Sequence, residues 1–273
     1  MLTEAQLLAR QSGIGASEIA AVCGLDPSKA PIDVWLLKTG RAESDESEQA
    51  SIGHLLEPVI ADLYAQRAGA QLAPCDTRVG PCSWEIATPD RHIVGTDRGV
   101  EIKVVGARMA WHWTDGVPDY VRCQCQWQMH VMGWSAIVVV ALVGGTDFQV
   151  HEVQRDQEWI DLMRTVARDF WALVESDTPP DVDGSDGWRG FIKRMFPESN
   201  GALREDETIG ALARDYHDLS EQIKCTEQAR EVVGNRLRMA IADDDGVRGS
   251  WGRVTNRTNK AGKRTLLVKL EAE

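Results

Sequence analysis

The sequence predicts a mixed α/β (α+β) fold: a central mixed sheet flanked by helices, followed by a C-terminal helical and β-hairpin extension. Three observations carry that prediction. Apolar residues recur at helical spacing through the first 68 positions. Strand-length runs, alternating or continuously apolar, fill 72–153 around one helical segment. Residues 204–242 then carry a thin apolar stripe along a polar stretch.

In chain order, residues 2–10 have helical spacing. Ser17 stands as an N-cap before Glu18-Ile19-Ala20-Ala21-Val22-Cys23, with Gly24 as the stop. Pro31–Lys38 is a second short helix closed by Gly40. A longer one covers 51–68 through Leu56, Val59, Ile60 and Leu63 and ends at Gly69; Pro58 marks a kink or a restart inside it. Strands are expected at 72–79, 83–88 and 99–105. After Trp111, Trp113 and Pro118, residues 119–132 form a helix. The run AIVVVALV at 136–143 is a buried strand, 147–153 another, and 156–175 a helix. At 176–187 Pro, Gly, Asp and Ser cluster without periodicity. This places one domain at 1–176, a linker at 177–187 and a C-terminal segment at 188–273, in which 204–242 is a long helix or helical hairpin and 250–269 two short strands.

The chain has 273 residues, of which 43% are hydrophobic, enough for one good core and a smaller appendage. The N-terminus shows no basic region followed by an apolar run, and the longest apolar run, 136–143, is far too short to span a bilayer. The expectation is a soluble cytoplasmic protein with no membrane partner. Six cysteines without a CxxC pair read as reduced thiols; Cys123 and Cys125 are the one close pair that a metal reading could use. A net charge of −12 argues against a nonspecific nucleic-acid coat but not against a nuclease, whose site gathers carboxylates. The tail 248–273 has seven basic against two acidic side chains, which suits either a polyanion contact or a solvated hairpin.

The chemistry concentrates in residues 87–105. On the strand 99–105, Glu101 and Lys103 share one face while Val100, Ile102 and Val104 share the other. A Gly-containing hairpin brings Asp90 back beside Glu101. Two carboxylates and an ammonium at one end of a sheet can hold a hard divalent cation and leave the lysine near an attacking water. Mg²⁺ suits such a site because it keeps several waters. A half-exposed strand with a plain ion pair has the same pattern. Glu57 shares a helix face with Ile60 and Tyr64, and an inward carboxylate needs a partner. Gln124, Gln126 and Gln128 lie on the 119–132 helix, where amides either line a nucleic-acid groove or form its wet face. Arg10 and Ser17 flank Gly13-Ile14-Gly15 and suit either a phosphate pocket or a simple N-cap.

Four blocks, in order, carry a resemblance over residues 8–175: RQSGIGASEIAAVCGLDPSKAPIDVWLLKTG, GHLLEPVIADLY, ATPD with GVEIKVV, and PDYVRCQCQWQMHVMGW. Together they resemble the YqaJ-type viral recombinase family, a branch of the PD-(D/E)xK nucleases with a restriction-endonuclease-like core, related to the phage lambda exonuclease. The resemblance implies that Asp90 is the metal-binding aspartate, that Glu101 and Lys103 are the E-x-K pair, and that Glu57 completes the metal site. It makes Gln124 the glutamine that follows the core strands and turns Arg10 and Ser17 toward a terminal 5′-phosphate. The backbone carbonyl of Ile102, between two inward side chains, is a further ligand. Asp97 is a rival to Asp90, but Thr96-Asp97-Arg98-Gly99 reads as the hairpin turn. Two positions depart from the family pattern: Arg91 follows the Pro-Asp pair in place of Gly, and Gln128 stands where relatives often carry Tyr.

The implied activity is 5′→3′ exonucleolytic hydrolysis of double-stranded DNA ends with one or two Mg²⁺, or Mn²⁺ as a substitute, leaving 3′ single strands for recombination. A single-strand-annealing protein is the implied partner and a ring trimer the assembly of lambda-type relatives. Trp111, Trp113 and Gln126 are candidates for contact with the separating strands. A structure-specific or restriction-type endonuclease would use the same side chains, and a non-catalytic DNA-binding module would use the scaffold alone.

Overall fold

The computed structural model describes residues 12–42 and 48–271. The chain parts after Glu198 into two units, each with its own buried side chains. The first opens with β1 (Ile14–Gly15), the single-turn α1 (Ile19–Val22), α2 (Pro31–Lys38) and α3 (Glu48–Ala68). Five strands follow: β2 (Leu72–Pro74), β3 (Arg78–Val79), β4 (Glu85–Ala87), β5 (Arg91–Ile93) and β6 (Arg98–Val105). A 3-10 segment at Ala107–Trp113 leads to α4 (Asp119–Met132), β7 (Ala136–Val143), β8 (Asp147–Gln154), α5 (Gln157–Glu175) and α6 (Asp186–Met195).

The central sheet has the order β2-β5-β6-β7-β8. β6 and β7 run parallel through eight residue pairs, from Arg98↔Ala136 to Val105↔Val143, with α4 as their crossover. β7 is apolar throughout because it is covered on both sides. On one side α3 sets Ile60, Ala61 and Tyr64 against Val100, Ile102, Val138 and Val140. On the other, Val121, Cys125 and Met129 of α4 pack with Val105, Ile137, Val139 and Ala141. A second sheet, β1-β4-β3, joins α1, α2, α5 and α6 around Trp35, Trp127, Phe170 and Trp188.

Several expectations change. The helix expected at 2–10 lies outside the described residues. The run 72–79 is two strands, because the chain crosses from the central sheet to the small one between Pro74 and Arg78. β5 was not anticipated; it is three residues long, too short for a periodic signal. α3 runs through Pro58 without a break, the missing N–H being tolerated inside a helix held by its buried face. The stretch 176–187 joins α5 to α6 within the first unit, since α6 buries Trp188 and sets Phe191 edge-on to Trp35.

The second unit consists of a 3-10 turn, α7 (Gly210–Ile241) and an antiparallel sheet of β9 (Gly246–Gly249), β10 (Gly252–Thr258) and β11 (Arg264–Leu270) in the order β11-β10-β9. There are thus three strands where two were expected. Val254, Asn256 and Ile241 are buried, and Gly234 leaves room for Leu266. The Arg264 guanidinium donates to the carbonyls of Ala242, Asp244 and Asn256, closing the C-terminal end of α7 onto the sheet.

Candidate active site

β5 pairs with β6 only at Arg91↔Val100 and His92↔Gly99. Beyond Arg91 the strands part, and the Ile102 N–H, which a longer β5 would have satisfied, donates instead to Asp90 Oδ2 at 2.7 Å. This bond fixes the aspartate at the fork. Glu101, one residue earlier on β6, turns to the face under α4 and is 2% exposed. Its carboxylate is held by three donors: Lys103 Nζ at 2.8 Å and Gln124 Nε2 at 2.6 Å on Oε1, and Gln128 Nε2 at 2.7 Å on Oε2. Lys103 Nζ also donates to Gln124 Oε1 at 2.8 Å, so lysine, glutamate and glutamine close a ring of contacts.

Glu57 enters from α3, on the opposite face of the sheet. Arg91 Nη1 donates to its Oε1 at 2.7 Å, and His54 Nδ1 stands 3.8 Å from its Oε2. Gly15, Ala16 and Ser17 form a further wall. Their loop is pinned by Glu18, whose Oε2 accepts the Gly15 N–H at 2.7 Å and pairs with Lys38 at 2.6 Å. Gly13 is required there because a Cβ would stand 2.5 Å from the Trp84 carbonyl oxygen. A cavity of ≈ 490 Å³ is lined by Ser17, Glu57, Asp90, Glu101, Ile102, Lys103 and Gln124.

The electrostatics follow from crowding. Burial pushes the Asp90 carboxyl well above its ordinary value, Glu101 and Glu57 push it further, and Lys103 offsets part of this. Burial pulls the Lys103 ammonium down, but Glu101 and Asp90 outweigh that and hold it above the usual lysine value. Three carboxyl groups thus face two cationic side chains: Lys103 pairs with Glu101 and Arg91 with Glu57, and Asp90, with its raised pKa, has no cation paired to it. Among the described residues no three His, Cys, Asp or Glu side chains converge closely enough to hold a metal ion. The donors that share the cavity are nonetheless carboxylate and carbonyl oxygens, the set that suits a hard cation.

Other expectations separate from this group. Gln126 is 1% exposed and its amide bridges the Gln154 carbonyl and the Asp156 N–H, so it braces the β8–α5 turn and offers nothing to DNA. Trp113 is 2% exposed and packs among Val121, Val143 and Val153, a core role in place of the expected DNA contact. Trp111 is exposed and stacks on His112, away from the cavity lining. Ser17 is not an N-cap: α1 is one turn with Glu18 at that position and no side-chain cap, so no helix terminus is available to an anion. Arg10 lies outside the described residues. Cys123 and Cys125 point into two different core clusters, with burial pushing Cys123 up to about 12 and Cys125 well above the ordinary thiol value. Two site residues were missed. Gln128 follows Gln124 by one helical turn, which was the available signal; Arg91 had none beyond its place after Asp90.

Residues 7–135 match the family described as YqaJ-like viral recombinase domain. The uncharacterized protein YqaJ of Bacillus subtilis (strain 168) is 29% identical over 247 residues, covering 87% of this chain and 77% of that protein. In fold, the chain is similar to an alkaline exonuclease (LHK-Exo) from Laribacter hongkongensis, with a TM-score of 0.55 and 20% identity over 71% of this chain and 97% of that one. The same enzyme in complex with dAMP matches equally. No helix among the described residues is long and apolar enough to cross a membrane.

Proposed function

Through residues 7–135 this chain belongs to the YqaJ-like viral recombinase family, and on that footing we propose that it is a Mg²⁺-dependent exonuclease digesting one strand of duplex DNA 5′→3′. It would leave 3′ single-stranded ends for recombination. The observation that carries the reading is the sharing of one cavity by Glu57, Asp90, Glu101, Lys103 and Gln124. Asp90, Glu101 and the Ile102 carbonyl, joined by Glu57, would hold one or two divalent cations, Mg²⁺ or Mn²⁺. The crowding of Asp90 by Glu101 and Glu57, with no cationic side chain paired to it, supports that assignment. When bound, such a cation supplies Lewis-acid neutralisation of phosphate charge and acidifies water.

The chain's own groups do the positioning. Lys103 gives two N–H bonds to Glu101 and Gln124 and has a third for the attacking water or the phosphate oxygen. Gln124 keeps Lys103 and Glu101 in register by donating to one and accepting from the other. Gln128 fixes the second oxygen of Glu101 and so presents a carboxylate already oriented. Ser17, which lines the same cavity, would meet a 5′-phosphate, and Arg10 would supply the positive charge. Exposed Trp111 would stack on a separated base. A single-strand-annealing protein on the 3′ strand, a ring of three subunits and action in the bacterial host cytoplasm complete the proposal.

The test is digestion of end-labelled linear duplex DNA with Mg²⁺, comparing 5′-phosphate, 5′-hydroxyl and closed-circular substrates. Lys103→Ala should lower turnover by about 10²–10³, the range for loss of one positioned donor. It also leaves buried Glu101 without its ion-pair partner, so its melting temperature should fall, and turnover is compared at a temperature where circular dichroism shows the variant folded. Cutting of the circle would replace the reading by an endonuclease. Absence of Mg²⁺-dependent cutting on every substrate would end it.

A further inference from the structure

We propose that the open face of the C-terminal sheet is a docking surface for the phosphate backbone of duplex DNA. The choice of DNA among polyanions rests on the nuclease reading above. Strand alternation divides the sheet in two. Val254, Asn256 and Leu266 turn toward α7, where the first two are buried and Leu266 packs beside Gly234. The other face carries Arg253, Thr255 and Arg257 of β10. The register sets Arg248 of β9 directly beside Arg253 on one side and Lys269 of β11 on the other.

Three cations in one row across three strands are unfavourable for the sheet itself, since like charges directly opposite destabilise a pair. Among the described residues, Arg248, Arg253 and Lys269 have no carboxylate within ion-pair distance; Arg257 alone has Asp245, at 3.5 Å. The row spans about 10 Å, and Arg257 lies about 13 Å further along β10. With phosphates at one per about 3.4 Å of axis on each strand, that reach covers several of them. Arg248, Arg253, Thr255, Arg257 and Thr265 line one concavity of ≈ 700 Å³, with Asp245 as the one acidic residue of its lining. The threonine hydroxyls add phosphate donors. The concavity's lining holds no aromatic side chain, and Trp251, exposed at the β9–β10 turn, lies over Gly249. The row of stacking platforms that single strands require is therefore missing, and a backbone-only contact to duplex fits best. The surface is basic on a chain of net charge −12.

The test is fluorescence anisotropy of the full chain with a labelled blunt duplex in EDTA, where no cutting occurs. Arg248→Gln/Arg253→Gln/Lys269→Gln should bind at least about tenfold more weakly near 0.1 M salt, with the log–log salt slope reduced by about 2–3. The triple relieves like-charge contacts, so its melting temperature should not fall. A control triple on α7, Arg214→Gln/Lys224→Gln/Arg230→Gln, should stay within about twofold of wild type. As a measurement that needs no variant, duplex should protect Lys269 of the wild type from acetylation. Unchanged affinity in the first triple, equal loss in both triples, or tighter binding of a single strand than of duplex would overturn the proposal. Wild type that binds duplex here and yet cuts no DNA would retire the nuclease reading alone.

Discussion

At the scale of single residues, the cavity is a problem of charge that the fold resolves with neutral amides and one ammonium. Asp90 shows the cost. Its folded pKa is raised, first by burial and then by Glu101, so its contribution to stability is present below the ordinary value of 3.8 and is lost as pH climbs through the folded value. In EDTA, Asp90→Asn should therefore melt higher than wild type at pH 7, and the gap should close below about pH 4. A variant that melts lower at pH 7 would show that the Ile102 N–H bond outweighs the repulsion. The placement of Asp90, Glu101 and Lys103 was legible because strand alternation and a short hairpin admit few geometries. The fate of the three glutamines was not. Gln124 and Gln128 lie one turn apart and meet the same carboxylate, whereas Gln126, two residues on, turns to the far side of α4. A wet amide and a buried one look alike until the partner is known.

Elements are joined beneath this site by a second buried carboxylate. Glu85 of β4 is 0% exposed and accepts from the Cys82 N–H at 2.9 Å and from Arg164 of α5 at 2.8 Å, with His130 of α4 at 3.2 Å. Burial pushes its carboxyl up, but the Cys82 N–H, Arg164 and His130 outweigh that and hold it below the ordinary value. A lowered pKa means stability that is present above the ordinary 4.5 and is lost as pH falls through the folded value. Glu85→Gln should cost about 3–5 kcal/mol at pH 7 in urea unfolding and progressively less as pH falls from the ordinary 4.5 through the lowered folded value; a cost unchanged over that descent would refute the charge argument. Long elements were legible, as were the short helices α1 and α2, but the three-residue strand β5 was not. The strand at 136–143 has the predicted limits because its apolar run is unbroken, and α4 matches 119–132 because Pro118 starts it and Gly133, at φ 73°, stops it. β5 is fixed by pairing instead, through its neighbours β2 and β6.

For the whole molecule, the proposed division of labour follows the division into two units. Every cavity residue lies before Glu198, and the first unit has three hydrophobic clusters of its own. Residues 1–198 expressed alone should melt cooperatively and still cut linear duplex, with weaker affinity for it. A fragment that is unfolded by circular dichroism would show that the catalytic unit needs the extension. The second unit was legible as a polar helix followed by strands, but the basic tail left two readings open. The register aligns Arg248, Arg253 and Lys269 across the strands, and the proposed DNA surface rests on that alignment.

The fork where β5 leaves β6 has one more consequence. A main-chain amide that donates to an ionised carboxylate resonates downfield of one that donates to a neutral acid. The Ile102 amide is therefore a spectroscopic reporter of Asp90. In ¹⁵N-labelled protein its proton signal should move when Asp90 takes up a proton, and move again when Mg²⁺ is titrated in, while the amides of β7 stay still. The site would announce the arrival of its ion through one backbone nitrogen, before any DNA is cut.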